Sequence, residues 1–257
     1  FYSLAYLAGL LFAYWHTRKM IDQPGAPLAK RHADDLFFYC MIGVIVGGRL
    51  GYVVFYRPDF IGTWEMFNTL GGGMSFHGGL IGCTLAMAYV CWRGGLNFIR
   101  VCDYVAVSVG MGMLLGRLAN FINGELWGRP VESLVPWAMV FCNRLIEAAN
   151  NGKCPAGLAP RHPSQLYEAA LEGLVLLAVL AVLVRAGALK RPGLIIGAFA
   201  VGYAVARTIC EFFREPDAQL GFLWGGLTMG MALNIPLLLA GLAFIGAALA
   251  RKPAEQS

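Results

Sequence analysis

The sequence contains few charged residues. Of its 257 residues, 14% are charged and 58% are hydrophobic, whereas soluble domains carry about 25% charged residues. This composition excludes an ordinary soluble domain, and a mean hydropathy of +0.61 is typical of a polytopic α-helical membrane protein. The net charge of +5 is therefore considered connection by connection, and it does not indicate a nucleic-acid-binding surface.

The sequence also lacks the side-chain spacing of a metal site. No pair of acidic residues has metal-ligand spacing, so we expect no metal. We also expect no other cofactor. Five of the seven cysteines lie in or beside apolar runs, at positions 40, 83, 91, 102 and 210. Cys142 and Cys154 lie in a polar connection, where they pair if that side of the membrane is oxidising or else remain free thiols.

Seven apolar runs approach the roughly 20 residues that a membrane-spanning helix needs. They cover residues 1–15, 36–56, 78–92, 101–122, 165–184, 193–213 and 224–250. The first run begins at Phe1, so we expect the natural chain to start earlier. The third run is short, and the glycine-rich residues 71–79 before it are compatible with a re-entrant loop. The sequence predicts an all-α integral membrane protein with about seven transmembrane helices in a single domain, 1–257.

The basic residues are distributed unequally between the two sides of this membrane. Eleven lie in one set of connections, at positions 18, 19, 30, 31, 93, 100, 185, 190, 191, 251 and 252. Five lie in the opposite set, at positions 57, 129, 144, 153 and 161. Because cytoplasmic loops are enriched in Lys and Arg, the first set is predicted to be cytoplasmic. The connection 123–162 is accordingly predicted to be a periplasmic arm.

The fourth run ends in the stretch GRLANFINGELWGRP, residues 116–130. In a helix Arg117, Asn120, Phe121 and Gly124 share a face, because residues three and four apart are neighbours. An arginine within a bilayer costs about 2.5 to 3.5 kcal/mol on insertion scales. We therefore expect Arg117 to have a structural or functional partner.

The sixth run carries four polar side chains on one helical stripe: Tyr203, Arg207, Glu211 and Arg214. One interpretation is a structural ion pair between Arg207 and Glu211 that joins helices. The other is a phosphate site, because Arg117 is expected at a comparable depth on another span. Arginine suits phosphate, since its planar guanidinium can bond two oxygens at once.

His77 lies among glycines in the stretch GGGMSFHGG, residues 71–79. It is either a solvent-facing side chain or a functional base, because glycines allow a close approach of backbone to ligand and imidazole titrates near neutral pH. Such a base could take the proton of a thiol, whose unperturbed pKa is about 8.5.

Other polar side chains near the spans have less defined roles. We interpret Glu168 and Glu172, near the start of the fifth run, as helix-packing or cavity residues, and His162 as interfacial. Arg49 has either a structural partner or a substrate, and Asp103 is interpreted as structural.

The stretch 116–130 resembles the signature of the bacterial prolipoprotein diacylglyceryl transferase family, Gly-Arg-x-x-Asn-Phe-x-Asn-Gly-Glu-x-x-Gly. Residues 72–79 resemble a second family signature, and Tyr203, Arg207 and residues 211–217 resemble its sixth-span pattern. Tyr2 matches a family tyrosine, so the resemblance extends from Tyr2 to the seventh span. It implies transfer of the diacylglyceryl group from phosphatidylglycerol to the lipobox cysteine thiol of a prolipoprotein, with release of glycerol phosphate. The implied partners are this lipid, the prolipoprotein signal peptide and the bilayer, without nucleic acid. The implied location is the bacterial inner membrane, with the active site toward the periplasmic leaflet.

The resemblance also implies roles for individual residues. Negative charge grows on the phosphate as the ester leaves, so fixed cations would stabilise the transition state. The lipid-binding set is Tyr2, Arg117, Asn120, Asn123, Gly128 and Arg207. The catalytic set is His77, Glu125, Tyr203, Arg207 and Glu211. Within it, Glu125 or Glu211 would hold an arginine, and His77 or Tyr203 would manage the proton.

Two other classes of protein remain as alternatives. A transporter or flippase for an anionic lipid would also place arginines at mid-depth in the membrane. A transporter would also need a polar cluster facing the inner side of the membrane to match the outer one, and for this the sequence offers little beyond Arg49. A non-catalytic scaffold predicts packing motifs, but not a histidine beside two arginines.

Overall fold

The computed structural model describes residues 2–21, 26, 30–69, 73–131, 135–215 and 226–251. Regular secondary structure in these residues is helical. The long helices are α1 (Tyr2–Ile21), α2 (Lys30–Tyr56), α3 (Phe76–Gly94), α4 (Phe98–Asn123), α6 (Ser164–Arg185), α7 (Leu194–Glu211) and α8 (Met229–Ala250), and the short helix α5 (Arg144–Ala149) lies between α4 and α6. Isolated β-bridges join Gly128 to Arg214, and Arg161 to Pro130 and Met139.

Five of the described helices are long and apolar enough to cross a membrane. They are Arg31–Tyr56, Phe98–Asn123, Ser164–Arg185, Leu194–Glu211 and Met229–Ala250. Their outer faces expose large apolar side chains such as Val54, Leu174 and Leu239, which lipid would cover. The predicted helical membrane class is thus confirmed, whereas the count of seven spans stays a prediction.

The chain forms two compact units, which we describe separately. Of the described residues, the larger unit comprises those within 2–13 and 102–251, and the smaller unit comprises those within 14–101.

In the smaller unit, glycines bring α2 and α3 into close contact. A Cβ atom on Gly47 would lie 2.9 Å from Cα of Gly82, and one on Gly51 would lie 2.8 Å from Cα of Gly78. Small residues four apart allow this approach of two helical backbones in a membrane. Ser75 caps α3, because its hydroxyl accepts a hydrogen bond from the Gly78 amide at 3.2 Å.

Arg49 organises the connection between these two helices. Its guanidinium donates to the carbonyl oxygens of Met66 at 3.2 Å, Gly73 at 3.0 Å and Glu65 at 2.5 Å. The side chain is buried. Of the two roles considered for Arg49, the structural one is therefore supported, with backbone carbonyls as partners.

In the larger unit, Asp103 joins α4 to the start of α7. Its carboxylate accepts hydrogen bonds from the amides of Gly193 at 2.7 Å and Ile196 at 2.8 Å. These amides belong to the first turn of a helix, where backbone donors lack intrahelical partners. Asp103 thus has the structural role expected from the sequence.

Candidate active site

Two carboxylates on α6 form the centre of the polar cluster in the larger unit. Glu168 and Glu172 have no exposed side-chain surface. Between them α6 changes from α-helical to π-helical geometry, which extends over Ala169–Val175. Single π-helical turns inside α-helices occur frequently at functional sites.

Arg117 reaches this centre from α4. Its Nε lies 2.9 Å from Oε2 of Glu168, and its Nη2 lies 3.5 Å from Oε2 of Glu172. The backbones of α4 and α6 approach closely here, because a Cβ on Gly173 would lie 2.8 Å from Cα of Leu114. The glycine in α6 thus permits the contact of the arginine with both carboxylates.

Arg207 reaches the same two carboxylates from α7. Its Nη1 donates to Oε1 of Glu168 at 2.8 Å and lies 3.7 Å from Oε1 of Glu172. Its Nη2 forms an ion pair with Glu211, one helical turn further on. Glu211 is fixed in turn by Thr228, whose hydroxyl donates to Oε2 at 2.7 Å. The predicted Arg207–Glu211 pair is therefore part of a larger network.

Arg214 completes the cluster. Its Nη1 donates to Oε1 of Glu168 at 3.2 Å, so this oxygen accepts from two arginines. The cluster consists of Arg117, Arg207, Arg214, Glu168, Glu172 and Glu211. We call it the arginine–glutamate cluster.

The cations of this cluster are its accessible part. The side chains of Arg117, Arg207 and Arg214 are 19%, 13% and 11% exposed, whereas those of Glu168 and Glu172 are at 0%. The formal charges of three arginines and three glutamates cancel. Within the described residues, neither oxygen of Glu172 makes a hydrogen bond. The buried carboxylates therefore hold the guanidinium groups in place while some N–H donors remain available to an anion.

Hydrogen bonds join the segment after α4 to the start of α6, next to Glu168. Gln165 Nε2 donates to the carbonyl of Glu125 at 2.7 Å, and the Ser164 hydroxyl donates to that of Leu126 at 3.2 Å. The Glu125 side chain accepts from Asn123 Nδ2 at 2.8 Å. Of the two carboxylates expected to hold an arginine, Glu211 does so, whereas Glu125 pairs with an amide.

Gly128 lies where two backbone segments meet. Its amide donates to the His162 carbonyl at 3.0 Å, and the next amide, of Arg129, donates to the Phe213 carbonyl at 2.9 Å. A Cβ on Gly128 would lie 2.6 Å from the His162 carbonyl oxygen. The Arg129 side chain also donates to the carbonyls of Arg214 and Glu211, at 2.9 and 3.2 Å. This packing explains the glycine and fixes the end of α7, which carries part of the cluster.

The other predicted site residues do not contact the cluster through a hydrogen bond or ion pair described above, although Tyr203 lies close enough to Glu172 and Arg207 to interact with them electrostatically. Tyr203 lies one turn before Arg207 on α7, and its ring is parallel to that of Phe199 at 6.1 Å. Asn120 is buried on α4. His77 belongs to the smaller unit, where it lies exposed in the first turn of α3. Tyr2 begins α1, and its side chain lies outside the described residues.

Glu168 and Glu172 have a more central place in the site than the packing or cavity role predicted from the sequence. Their spacing of four residues within an apolar run was an available signal, since an ionisable group in a span needs a partner. Arg117 on α4 and Arg207 on α7 are partners of both carboxylates, and Arg214, just beyond the end of α7, is a further partner of Glu168.

A second group of polar side chains lies between α4 and α6. Cys142 and Cys154 form a disulfide, which decides between the two possibilities left by the sequence. Potential ligand atoms of these two residues and Glu147 lie within 4.8 Å of one another. Cysteine binds a metal as a thiolate, so Cys142 and Cys154 do not provide sulfur ligands while they form the disulfide.

Fold and site together define a helical membrane protein with a partly accessible arginine–glutamate cluster. The family model for prolipoprotein diacylglyceryl transferase matches residues 1–247. The chain belongs to this family. Its relatives include proteins named phosphatidylglycerol–prolipoprotein diacylglyceryl transferase. That of Erythrobacter litoralis is 55% identical over 98% of this chain and 86% of its own length. Those of Nitrobacter winogradskyi and Zymomonas mobilis are 50% and 47% identical, over 97% and 94% of this chain and 84% and 80% of their own lengths. The family favours the transferase over the transporter that we kept as an alternative.

Proposed function

We propose that this protein transfers the diacylglyceryl group of phosphatidylglycerol to the lipobox cysteine thiol of a prolipoprotein, and that the arginine–glutamate cluster binds the lipid phosphate. The reaction forms a thioether bond to the glycerol carbon and releases glycerol phosphate. Family membership supports the reaction, and the geometry of the cluster supports the phosphate site.

The convergence of Arg117 and Arg207 carries the proposed phosphate site. They come from α4 and α7, yet both contact Glu168 and Glu172 on α6. The two guanidinium groups would otherwise repel each other, and the shared carboxylates keep them close together. Their contacts use Nε and Nη2 of Arg117 and the two Nη atoms of Arg207. Donors such as Nη1 of Arg117 are then available for phosphate oxygens.

The charge of the reacting phosphate explains why such a site would accelerate the reaction. The bound diester carries one negative charge, and the leaving monoester gains a second as the carbon–oxygen bond breaks. Fixed cations stabilise this transition state more than the bound lipid. The positions of these cations are set before the lipid arrives, because the buried carboxylates already hold them.

The remaining roles are proposed from the sequence pattern. Asn120 and Asn123 would add amide donors to the lipid headgroup, and Tyr2 and Gly128 would complete its binding site. For Gly128 the close backbone packing at the end of α7 supports an indirect contribution.

The proton of the attacking thiol requires a base. His77 is proposed for this role because an imidazole nitrogen can accept a proton, with Tyr203 as the alternative. Glu125 stays in the proposed catalytic set as the residue that orders the segment after α4, through its contact with Asn123.

We further propose seven spans in the inner membrane, with the connection 123–162 as a periplasmic arm. The disulfide between Cys142 and Cys154 supports an oxidising location for this connection. Reporter fusions test the arrangement: a periplasmic reporter should be active at Asn150 and silent at Arg251. The reverse pattern would place the proposed site at the wrong leaflet.

A reconstituted assay tests the function. Purified protein is mixed with phosphatidylglycerol and a peptide containing a lipobox cysteine, and both products are measured. We expect thioether-linked peptide and glycerol phosphate in equal amounts. A peptide with serine in place of the cysteine is the control, and formation of product from it would contradict thiol alkylation.

A further inference from the structure

The smaller unit contains a polar cavity away from the glycine contact of α2 and α3. It has a volume of about 270 Å³ and lies between the first turns of α2 and the last turns of α3. Its polar lining consists of Arg31, His32, Asp35, Tyr39, Tyr89 and Arg93. Two arginines and a histidine against one aspartate give the cavity an excess of basic groups.

The arginines of this cavity differ from those of the arginine–glutamate cluster. The Arg31 Nε donates to the His32 imidazole at 3.4 Å, and the Arg93 Nη1 donates to the Tyr89 hydroxyl at 3.4 Å. Both contacts are long, and neither partner is a carboxylate. Among the described residues, neither Arg31 nor Arg93 has a carboxylate oxygen within 4.0 Å, although Arg93 interacts electrostatically with Asp35 at longer range. Two guanidinium groups facing one cavity in this way favour an anion between them.

Exposed apolar side chains continue from the cavity along both helices. Leu85 and Trp92 are 64% and 79% exposed on α3, and Phe38 and Ile45 are exposed on α2. Tyr89, next to Trp92, lies at the cavity itself. Aromatic side chains are enriched where a membrane meets water. A ligand that satisfies both surfaces has an anionic head and apolar chains.

We propose that this cavity binds the phosphate of an anionic phospholipid whose acyl chains lie along the exposed faces of α2 and α3. Basic pockets between transmembrane helices bind such headgroups in other membrane proteins. The site lies in the smaller unit and shares no residue with the arginine–glutamate cluster, and the proposal does not depend on the proposed catalytic roles.

Photo-crosslinking tests the proposal at the level of the site. The protein is placed in phosphatidylcholine nanodiscs with increasing fractions of phosphatidic acid that carries a diazirine in its acyl chain. Labelled peptides that cover residues 80–94 are then quantified. We expect saturable labelling of these peptides by phosphatidic acid and only weak, proportional labelling by a matched phosphatidylcholine probe. Equal labelling by both probes would overturn the proposal.

Variants identify the residues responsible. Each juxtamembrane arginine is expected to contribute about fivefold to anionic lipid binding, so Arg31→Gln with Arg93→Gln should raise the half-saturating lipid fraction about 25-fold. Arg185→Gln, an exposed basic residue outside the cavity, is the control and should change nothing. The double lysine variant keeps the charge, so it should retain much of the binding and serves if the glutamine variant does not fold. Unchanged labelling in the double glutamine variant would refute the site. So would a loss of labelling in the Arg185→Gln control as large as that in the double glutamine variant.

Inorganic phosphate distinguishes the two sources of the anion. At the ionic strength of a matched chloride control, phosphate should displace little of the lipid label. Full displacement by millimolar phosphate would mean that the cavity binds free phosphate, and the lipid proposal would be wrong.

Discussion

Replacement of Arg207 by lysine separates a catalytic role of the arginine–glutamate cluster from a structural one. Arg207 uses one nitrogen for Glu168, at 2.8 Å, and the other for Glu211. A lysine keeps the positive charge but has a single nitrogen, so it cannot occupy both positions and also present the planar donor pair that phosphate requires. We therefore expect Arg207→Lys to remain folded and to lose turnover.

The size of the loss follows from the interactions removed. A hydrogen bond to a charged group contributes about 1.5 to 3 kcal/mol. If one such bond forms fully only in the transition state, kcat should fall about 10- to 150-fold. Because charge remains at the site, the variant avoids the penalty of about 3 to 5 kcal/mol for leaving a buried carboxylate unpaired. The thermal midpoint should change little.

The assay measures kcat and KM for phosphatidylglycerol at a fixed peptide concentration, together with thermal unfolding. Arg191→Lys is the matched control, since Arg191 donates to the Leu249 carbonyl at 3.0 Å and has no place in the cluster. A purely structural role predicts the opposite result, with a lowered unfolding midpoint and nearly normal turnover. That result, or full activity in Arg207→Lys, would refute the phosphate site at this residue.

Three further predictions concern other parts of the molecule. His77→Gln should insert normally but lose about a hundred- to ten-thousand-fold in turnover, the usual contribution of a general base; near-normal transfer would move the proton to Tyr203 or a carboxylate. Glu172 faces Arg117 and Arg207, and Glu172→Gln keeps the size of its side chain but removes the charge. We expect this change to misorient the two arginines and to lower kcat at least about tenfold. KM for the peptide is the control and should not change. The double serine variant of Cys142 and Cys154 should keep transfer activity while losing at most about 3 kcal/mol of stability from the closed loop; a folded variant without activity would contradict this.

The helices could be predicted from the sequence because their signals are local. Apolar runs of spanning length matched the positions of the long helices. Arg117 was identified from the cost of a charge in a span, and Arg207 and Glu211 were identified from their common helical stripe. The common partner of the two arginines could not be predicted in the same way. Glu168 contacts three arginines on two other segments, and those contacts depend on how α4, α6 and α7 pack.

Contacts with backbone carbonyl oxygens also could not be predicted from the sequence. For Arg49, the sequence predicted either a structural partner or a substrate, and the structure shows that the partners are carbonyl oxygens of the connection between α2 and α3. Carbonyl groups are present at every residue, so no residue type indicates them. Gly128 is similar, because the need for glycine arises from the nearby carbonyls of His162 and Phe213, which are remote in sequence.

The most direct test of the account measures the recognition of charge on the lipid phosphate. Two non-transferable analogues of phosphatidylglycerol are compared as competitive inhibitors, one with the anionic phosphate and one with that phosphate methylated to a neutral triester. If Arg117 and Arg207 bind the phosphate, the anionic analogue should inhibit about 10- to 150-fold more strongly, as expected for one hydrogen bond to a charged group. The preference should shrink in Arg117→Gln and persist in Arg191→Gln. Equal inhibition of the unmodified protein by the two analogues would contradict the phosphate site.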